Sequence, residues 1–125
     1  MKNLEQRRSR YLQDALPIRL GGLAANLSRI ASFSKHDGVS DVVSSILLES
    51  RWFIEWTAKE FEISKAAELV DLQRQLARWD LESHQNWHDE NWRSMLAENA
   101  KQWSQRILEM SGLLPPIPNN PDRKE

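Results

Sequence analysis

Apolar residues recur at steps of three and four along most of the chain, which is the period of an amphipathic helix. Four segments carry this period, and no segment shows the alternation typical of a strand. Each segment presents an apolar stripe to a common core, and the connections are short, so we predict an all-α, antiparallel four-helix bundle. The stripes are Leu12, Leu16, Leu20, Leu23, Leu27 and Ile30; Val39, Val43, Ile46, Phe53 and Thr57; Ala66, Leu69, Leu72, Leu76 and Trp79; and Trp92, Met95, Leu96, Trp103, Ile107 and Met110.

Three serines mark predicted helix starts, because a hydroxyl oxygen can accept a hydrogen bond from a free N–H group of the first turn. They are Ser40, Ser64 and Ser83. The second helix is therefore expected over residues 40–60, the third after Ser64, and the fourth over residues 84–111. Gly112 is expected to end the fourth helix in the left-handed conformation.

Prolines interrupt both ends of this pattern. Pro17 lies inside the first helical segment, residues 4–35. Proline lacks an N–H group and clashes with the preceding turn, so the first helix should be kinked or split there, with residues 4–15 as a separate arm. Four more prolines follow Leu114. We thus predict one helical bundle domain over residues 1–114 and an extended or disordered tail over residues 115–125.

The composition excludes several classes of function. The 125 residues include no cysteine, which excludes disulfides, thiolate metal sites and thiol catalysis. No apolar run is long enough to span a membrane, and the first residues lack the apolar segment of a signal peptide, so a cytoplasmic location is expected. The net charge of −1 disfavours nucleic acid as a partner. No cofactor is expected.

The second helix carries an additional apolar stripe, here called the tryptophan ridge: Leu48, Trp52 and Trp56. These residues are spaced by four and lie away from the predicted core face, although an amphipathic helix needs only one apolar face. The 4–15 arm, the tail, another chain, or a flat ligand such as a pigment should cover them. Because aromatic residues often anchor interfaces, we predict a non-enzymatic interaction module with a protein partner or a homo-oligomer.

A stripe of small residues follows the leucines of the first helix. Its members are Gly21, Ala24, Ala25, Ser28 and Ser32. Small side chains let a neighbouring helix approach closely, so the stripe predicts either tight packing inside the bundle or a notch for another helix.

An enzymatic alternative depends on Arg78, His84 and His88. Arg78 and His84 enclose five residues, which is similar to the Arg-x(4–6)-His pattern of HEPN ribonucleases, and that resemblance implies RNA cleavage by these two residues. Trp79 follows the arginine where that family prefers a small polar residue. His84 and His88, four residues apart at the expected head of the fourth helix, are spaced to share one metal ion. The alternative is therefore a HEPN-like ribonuclease or a metal-dependent helical-bundle enzyme.

Three segments together resemble small all-helical proteins of unknown function from cyanobacteria. They are Arg19–Leu27, Trp52–Ala58 and Trp103–Leu113. The resemblance covers most of residues 4–114 and implies a cytoplasmic bacterial protein. It carries no chemical motif, so it assigns no role to any residue.

Overall fold

The computed structural model describes residues 2–113, and the predicted tail over residues 115–125 lies outside them. In this range the chain forms α-helices and two 3₁₀ turns, without a strand, which confirms the all-α prediction. The helices are α1 (Lys2–Gln13), α2 (Leu16–Phe33), α3 (Ser40–Thr57), α4 (Ile63–Asn86) and α5 (Glu90–Ser111), and the 3₁₀ turns are Asp37–Val39 and Ala58–Glu60.

The first predicted helical segment forms two helices. α1 ends at Gln13, Ala15 is extended, and α2 begins at Leu16. Pro17 therefore lies in the first turn of α2, where a backbone N–H would have no partner within the helix and its absence costs nothing. The interruption precedes the proline by two residues.

α2 packs along both α3 and α5, and α4 packs along α3 and, over fewer positions, α5. Along α2 and α5 the contacts run in opposite orders. The Ser104 hydroxyl donates to the Ala24 carbonyl at 2.8 Å, and Arg93, earlier in α5, donates to the carbonyl of Ser34, which follows α2. α1 contacts mainly α3.

The core consists mainly of leucines, isoleucines and tryptophans from the segment that runs from α2 to α5. Most predicted stripe residues are buried, but the face of α3 is turned: Leu47 and Ile54 are fully buried, whereas Ile46 and Phe53 are only partly buried. The apolar pattern did not indicate this face, because a polar residue, Ser50, lies at its centre. The Ser50 hydroxyl donates to the Ile46 carbonyl. The fully buried large side chains are Leu20, Leu23, Leu27, Ile30, Leu47, Ile54, Leu69, Leu72, Leu76, Trp79, Leu96 and Ile107.

The three predicted serine caps are wrong. α3 begins at Ser40 itself, so Val39 is its N-cap, and Glu62 precedes α4. Ser83 lies inside α4, and its hydroxyl donates to the Asp80 carbonyl at 2.7 Å.

α4 and α5 therefore meet at a different place from the one predicted. The Asp89 carboxylate caps α5 by accepting from the backbone N–H groups of Asn91 and Trp92. Aspartate is as effective at this position as serine, so the Asp89 cap is compatible with a start of α5 at Glu90. At the other end Gly112 has a φ of 75°, which confirms the predicted left-handed end. Met95, predicted to be in the core, is 43% exposed.

Arg93 joins the ends of two helices. It is only 8% exposed, and its Nε donates to the Trp87 carbonyl at 2.7 Å while Nη1 donates to the Ser34 carbonyl at 3.3 Å. Ser34 is the C-cap of α2 and Trp87 is the C-cap of α4. Helix C-termini carry partial negative charge, so two of them stabilise this guanidinium, which forms no ion pair with a carboxylate of the described residues.

Candidate functional site

The tryptophan ridge differs in exposure along its length. Leu48 is 50% exposed, Trp52 is partly buried, and Trp56 is only 7% exposed. The rings of Trp52 and Trp56 stack with their centroids 5.9 Å apart. One end of the ridge is therefore covered by the chain, and the other end lies on the surface.

The cover over Trp56 comes from α1. The Tyr11 ring stacks on Phe53 with centroids 4.0 Å apart and lies 5.8 Å from Trp56. One turn earlier in α1, Arg7 forms an ion pair with Glu49 of α3. Of the covers considered from the sequence, the 4–15 arm thus occupies the Trp56 end and leaves Leu48 open.

Arg19 forms hydrogen bonds at the connection between α1 and α2. Its side chain is 7% exposed, and the guanidinium donates to both carboxylate oxygens of Glu60, at 2.7 and 2.8 Å. Its Nε donates to the Asp14 carbonyl, and the Tyr11 hydroxyl donates to the Arg19 carbonyl at 2.9 Å. The hydrogen bonds from Arg19 lower the pKa of Glu60, and they raise the pKa of Arg19 itself. Arg19 thereby connects the end of the arm to the 3₁₀ turn that follows α3.

The position of Tyr11 predicts a dependence of stability on alkaline pH. Burial raises the pKa of Tyr11 from 10.0 to about 12. A raised pKa means that the folded state keeps its proton longer, so the stabilisation is complete below pH 10 and is lost as pH rises toward 12. We expect the wild type to lose about 2 kcal/mol more unfolding free energy over this interval than Tyr11→Phe, as measured by urea titration. Equal losses in the two proteins would show that α1 does not bury Tyr11.

Arg78 and His84, two residues of the enzymatic alternative, do not face the same side of α4. Arg78 and His84 are both exposed on α4, and their separation of six residues turns them about 120° apart around the helix. His88 lies beyond the C-terminus of α4, where its Nδ1 is 2.8 Å from Oδ1 of Asp37. The expectation that His84 and His88 share the head of one helix is wrong, because α4 extends to Asn86. Among residues 2–113, no group of three or more histidines and carboxylates is arranged to hold a metal ion.

An open groove of about 720 Å³ lies between α2 and α5. The members of the small-residue stripe differ in burial. Ala24 is buried beside Ser104, whereas Ser28 and Ser32 line the groove. At the other end of the stripe, Leu113 approaches so closely that a Cβ added at Gly21 would lie 2.9 Å from it. The groove also has charged residues of both signs, so its electrostatics favours no ligand class. They are Lys35, Glu90, Arg93, Glu98 and Lys101.

Sequence reasoning missed the two residues that fix the surroundings of the ridge, Arg19 and Tyr11. Arg19 precedes a buried leucine in a helical pattern, and Tyr11 lies in a strongly polar helix, so neither pattern signals burial. Their partners, Glu60 and Phe53, are about forty residues away along the chain. Only the packing of the arm on α3 brings them together.

None of the helices described is long and apolar enough to cross a lipid bilayer. Comparisons with protein-family models, with curated proteins and with solved structures each find nothing that matches this chain.

Proposed function

We propose that this chain is a non-enzymatic interaction module, an assembly or regulatory partner that binds a protein through the outward face of α3. One observation carries the proposal: Leu48 is 50% exposed next to the partly buried Trp52, so an apolar surface with an aromatic residue faces solvent. Aromatic side chains in such positions supply much of the free energy of protein association.

The proposed scaffold is an antiparallel bundle of α2, α3, α4 and α5, with α1 as an arm split off just before Pro17. The contacts between neighbouring helices support this arrangement. Asn26 of α2 donates to Glu49 of α3, and Arg19, earlier in α2, donates to Glu60 beyond α3. Contacts with α2 and α4 fix the position of α3, so its outward side chains form a preorganised surface.

The neighbours of Leu48 distinguish it from other exposed leucines. Leu81 on α4 is 72% exposed, yet the residues one turn away from it include Arg78 and His84, which are both exposed. Single exposed apolar residues of that kind are ordinary on protein surfaces. Leu48, in contrast, has Trp52 one turn away, and Trp52 stacks on Trp56. The apolar surface of α3 is therefore continuous with the aromatic cluster beneath α1.

Site-specific photo-cross-linking in the host cell tests the proposal. A benzophenone amino acid placed at position 48 should attach covalently to a protein, because that side chain would lie inside the interface. The same amino acid at position 81 is the matched control, and it should give little or no adduct. Absence of an adduct at position 48, or equal adducts at the two positions, would contradict the proposed function.

The resemblance to cyanobacterial proteins makes the bacterial cytoplasm the compartment that we propose.

A further inference from the structure

The outward side of α3 carries an ordered stripe of five residues: Asp41, Ser45, Leu48, Trp52 and Glu55. At 100° per residue they fall within about 80° of one another around the helix. Lys59 continues the stripe in the 3₁₀ turn that follows α3. The stripe thus has an apolar centre, an acidic residue at its first end and a basic residue at its last.

Its end charges have no partner within the molecule. Neither Asp41 nor Lys59 forms an ion pair with another residue of the described part of the chain, and both are exposed. The charges that flank the stripe are different, because they already have partners. Arg7 pairs with Glu49 on one side, and Arg51 lies 4.0 Å from Asp80 on the other. A partner laid along α3 would therefore meet an apolar centre, flanks whose charges have partners, and the charges of Asp41, Glu55 and Lys59, none of which forms an ion pair within the described residues.

This order is self-complementary in one orientation. If two copies of α3 lie antiparallel about a two-fold axis at the level of Ser50, Leu48 of one chain faces Trp52 of the other. Asp41 and Lys59 are each nine residues from that level, about 13.5 Å along the helix. Asp41 of one chain therefore faces Lys59 of the other. A two-fold axis repeats every such contact, giving two apolar pairs and two ion pairs.

We propose that the partner of this surface is a second copy of the same chain, with the two α3 helices antiparallel. The inference rests on the proposed function, and the charges decide the orientation. A parallel two-fold pair would place Asp41 against Asp41 and Lys59 against Lys59, and it would align the two helix dipoles unfavourably. The antiparallel pair converts both repulsions into attractions. The helices cross at a small angle, because a steep crossing would separate the charged ends.

Charge reversal at the two ends tests this inference in the purified full-length chain. In a two-fold pair, Asp41→Lys places two lysines opposite each other twice, and Lys59→Asp does the same with two aspartates. At low salt we expect each single variant to self-associate about tenfold more weakly than the wild type by sedimentation velocity. Mixed in equal amounts, the two variants should associate with each other about as strongly as the wild type does with itself, because every facing pair is again of opposite sign.

Matched controls separate this effect from a change in net charge. Asp71→Lys on α4 and Lys101→Asp on α5 alter exposed positions away from the stripe. These two variants should self-associate as the wild type does, and circular dichroism should show unchanged helicity for all four. Failure of the mixed pair to recover association would overturn the two-fold arrangement.

The cross-linking experiment distinguishes failure of this inference from failure of the proposed function. An adduct at position 48 with the mass of two chains supports the second copy. An adduct of another mass, together with a purified wild type that stays monomeric at every concentration, overturns the second copy and leaves the proposed function standing. No adduct at position 48 overturns the proposed function itself.

Discussion

Replacing Trp79 with alanine is expected to lower the free energy of unfolding by about 3–5 kcal/mol, which is among the largest effects available in this chain. Trp79 is 0% exposed and lies among the leucines of the core. Its removal leaves a cavity that the surrounding helices fill only in part, and the lost contacts add to that cost. Urea titration followed by circular dichroism measures the change.

The Trp79 indole offers a sharper control. Its Nε1 is buried without a hydrogen-bond partner among the described residues, and an unpaired buried N–H is itself destabilising. Trp79→Phe removes that group and keeps an aromatic ring, so we expect this variant to stay within about 1.5 kcal/mol of the wild type. If Phe and Ala proved equally destabilising, a hydrogen bond of the indole, and not its volume, would be holding the core together.

Arg93→Met is expected to be the second strongest change, with a loss of about 3 kcal/mol of unfolding free energy. The variant keeps the volume of the side chain but leaves two buried carbonyls, those of Ser34 and Trp87, without their donor, and each orphaned group costs about 1–3 kcal/mol. It also removes the positive charge from two helix C-termini.

Arg106→Met is the matched control for Arg93. Arg106 is 45% exposed and donates to both carboxylate oxygens of Glu68, at 2.7 and 2.8 Å. Exposed ion pairs contribute less than about 1 kcal/mol, so this substitution should have a small effect in spite of its better hydrogen-bond geometry. A larger loss at Arg106 than at Arg93 would mean that the carboxylate pair, and not the two helix ends, sets the stability.

Periodic leucines were the part of the fold that the sequence predicted best. Leu20, Leu23, Leu27 and Ile30 are all buried as expected, because a stripe at steps of three and four has only one way to face a core. α3 was harder, since Ile46, Leu47 and Leu48 are consecutive and fit three different faces. The surrounding helices, and not the local pattern, decide which of the three is buried.

Helix ends were predicted less well, because several residues compete for each cap. Asp89 and Ser83 can both accept hydrogen bonds from a first turn, and the choice of Asp89 places Trp87 in the core with 4% exposure. Burial of a tryptophan contributes more than the difference between two caps. The same shift places His84 in the last turn of α4 and His88 beyond it, so the two histidines do not stand at the head of the last helix.

The tryptophan ridge shows where prediction of the candidate site stopped. The spacing of Leu48, Trp52 and Trp56 predicted a second apolar side of α3, but it did not show that Trp56 is covered while Leu48 is exposed. That depends on Tyr11, which lies 45 residues before Trp56 and reaches it because α1 packs on α3. Trp56→Ala should therefore lower stability, whereas Trp52→Ala should act mainly on association.

Light scattering on the purified wild type and Trp52→Ala, over a range of concentrations, tests most directly whether the chain associates through this face. We predict that the wild type rises from the mass of one chain to the mass of two. Trp52→Ala should keep its helicity and require about thirtyfold higher concentration for the same rise, because loss of a central aromatic anchor costs about 2 kcal/mol. Self-association through this face would be contradicted by a wild type with the mass of one chain at every concentration. A Trp52→Ala variant that associates as strongly as the wild type would contradict it as well.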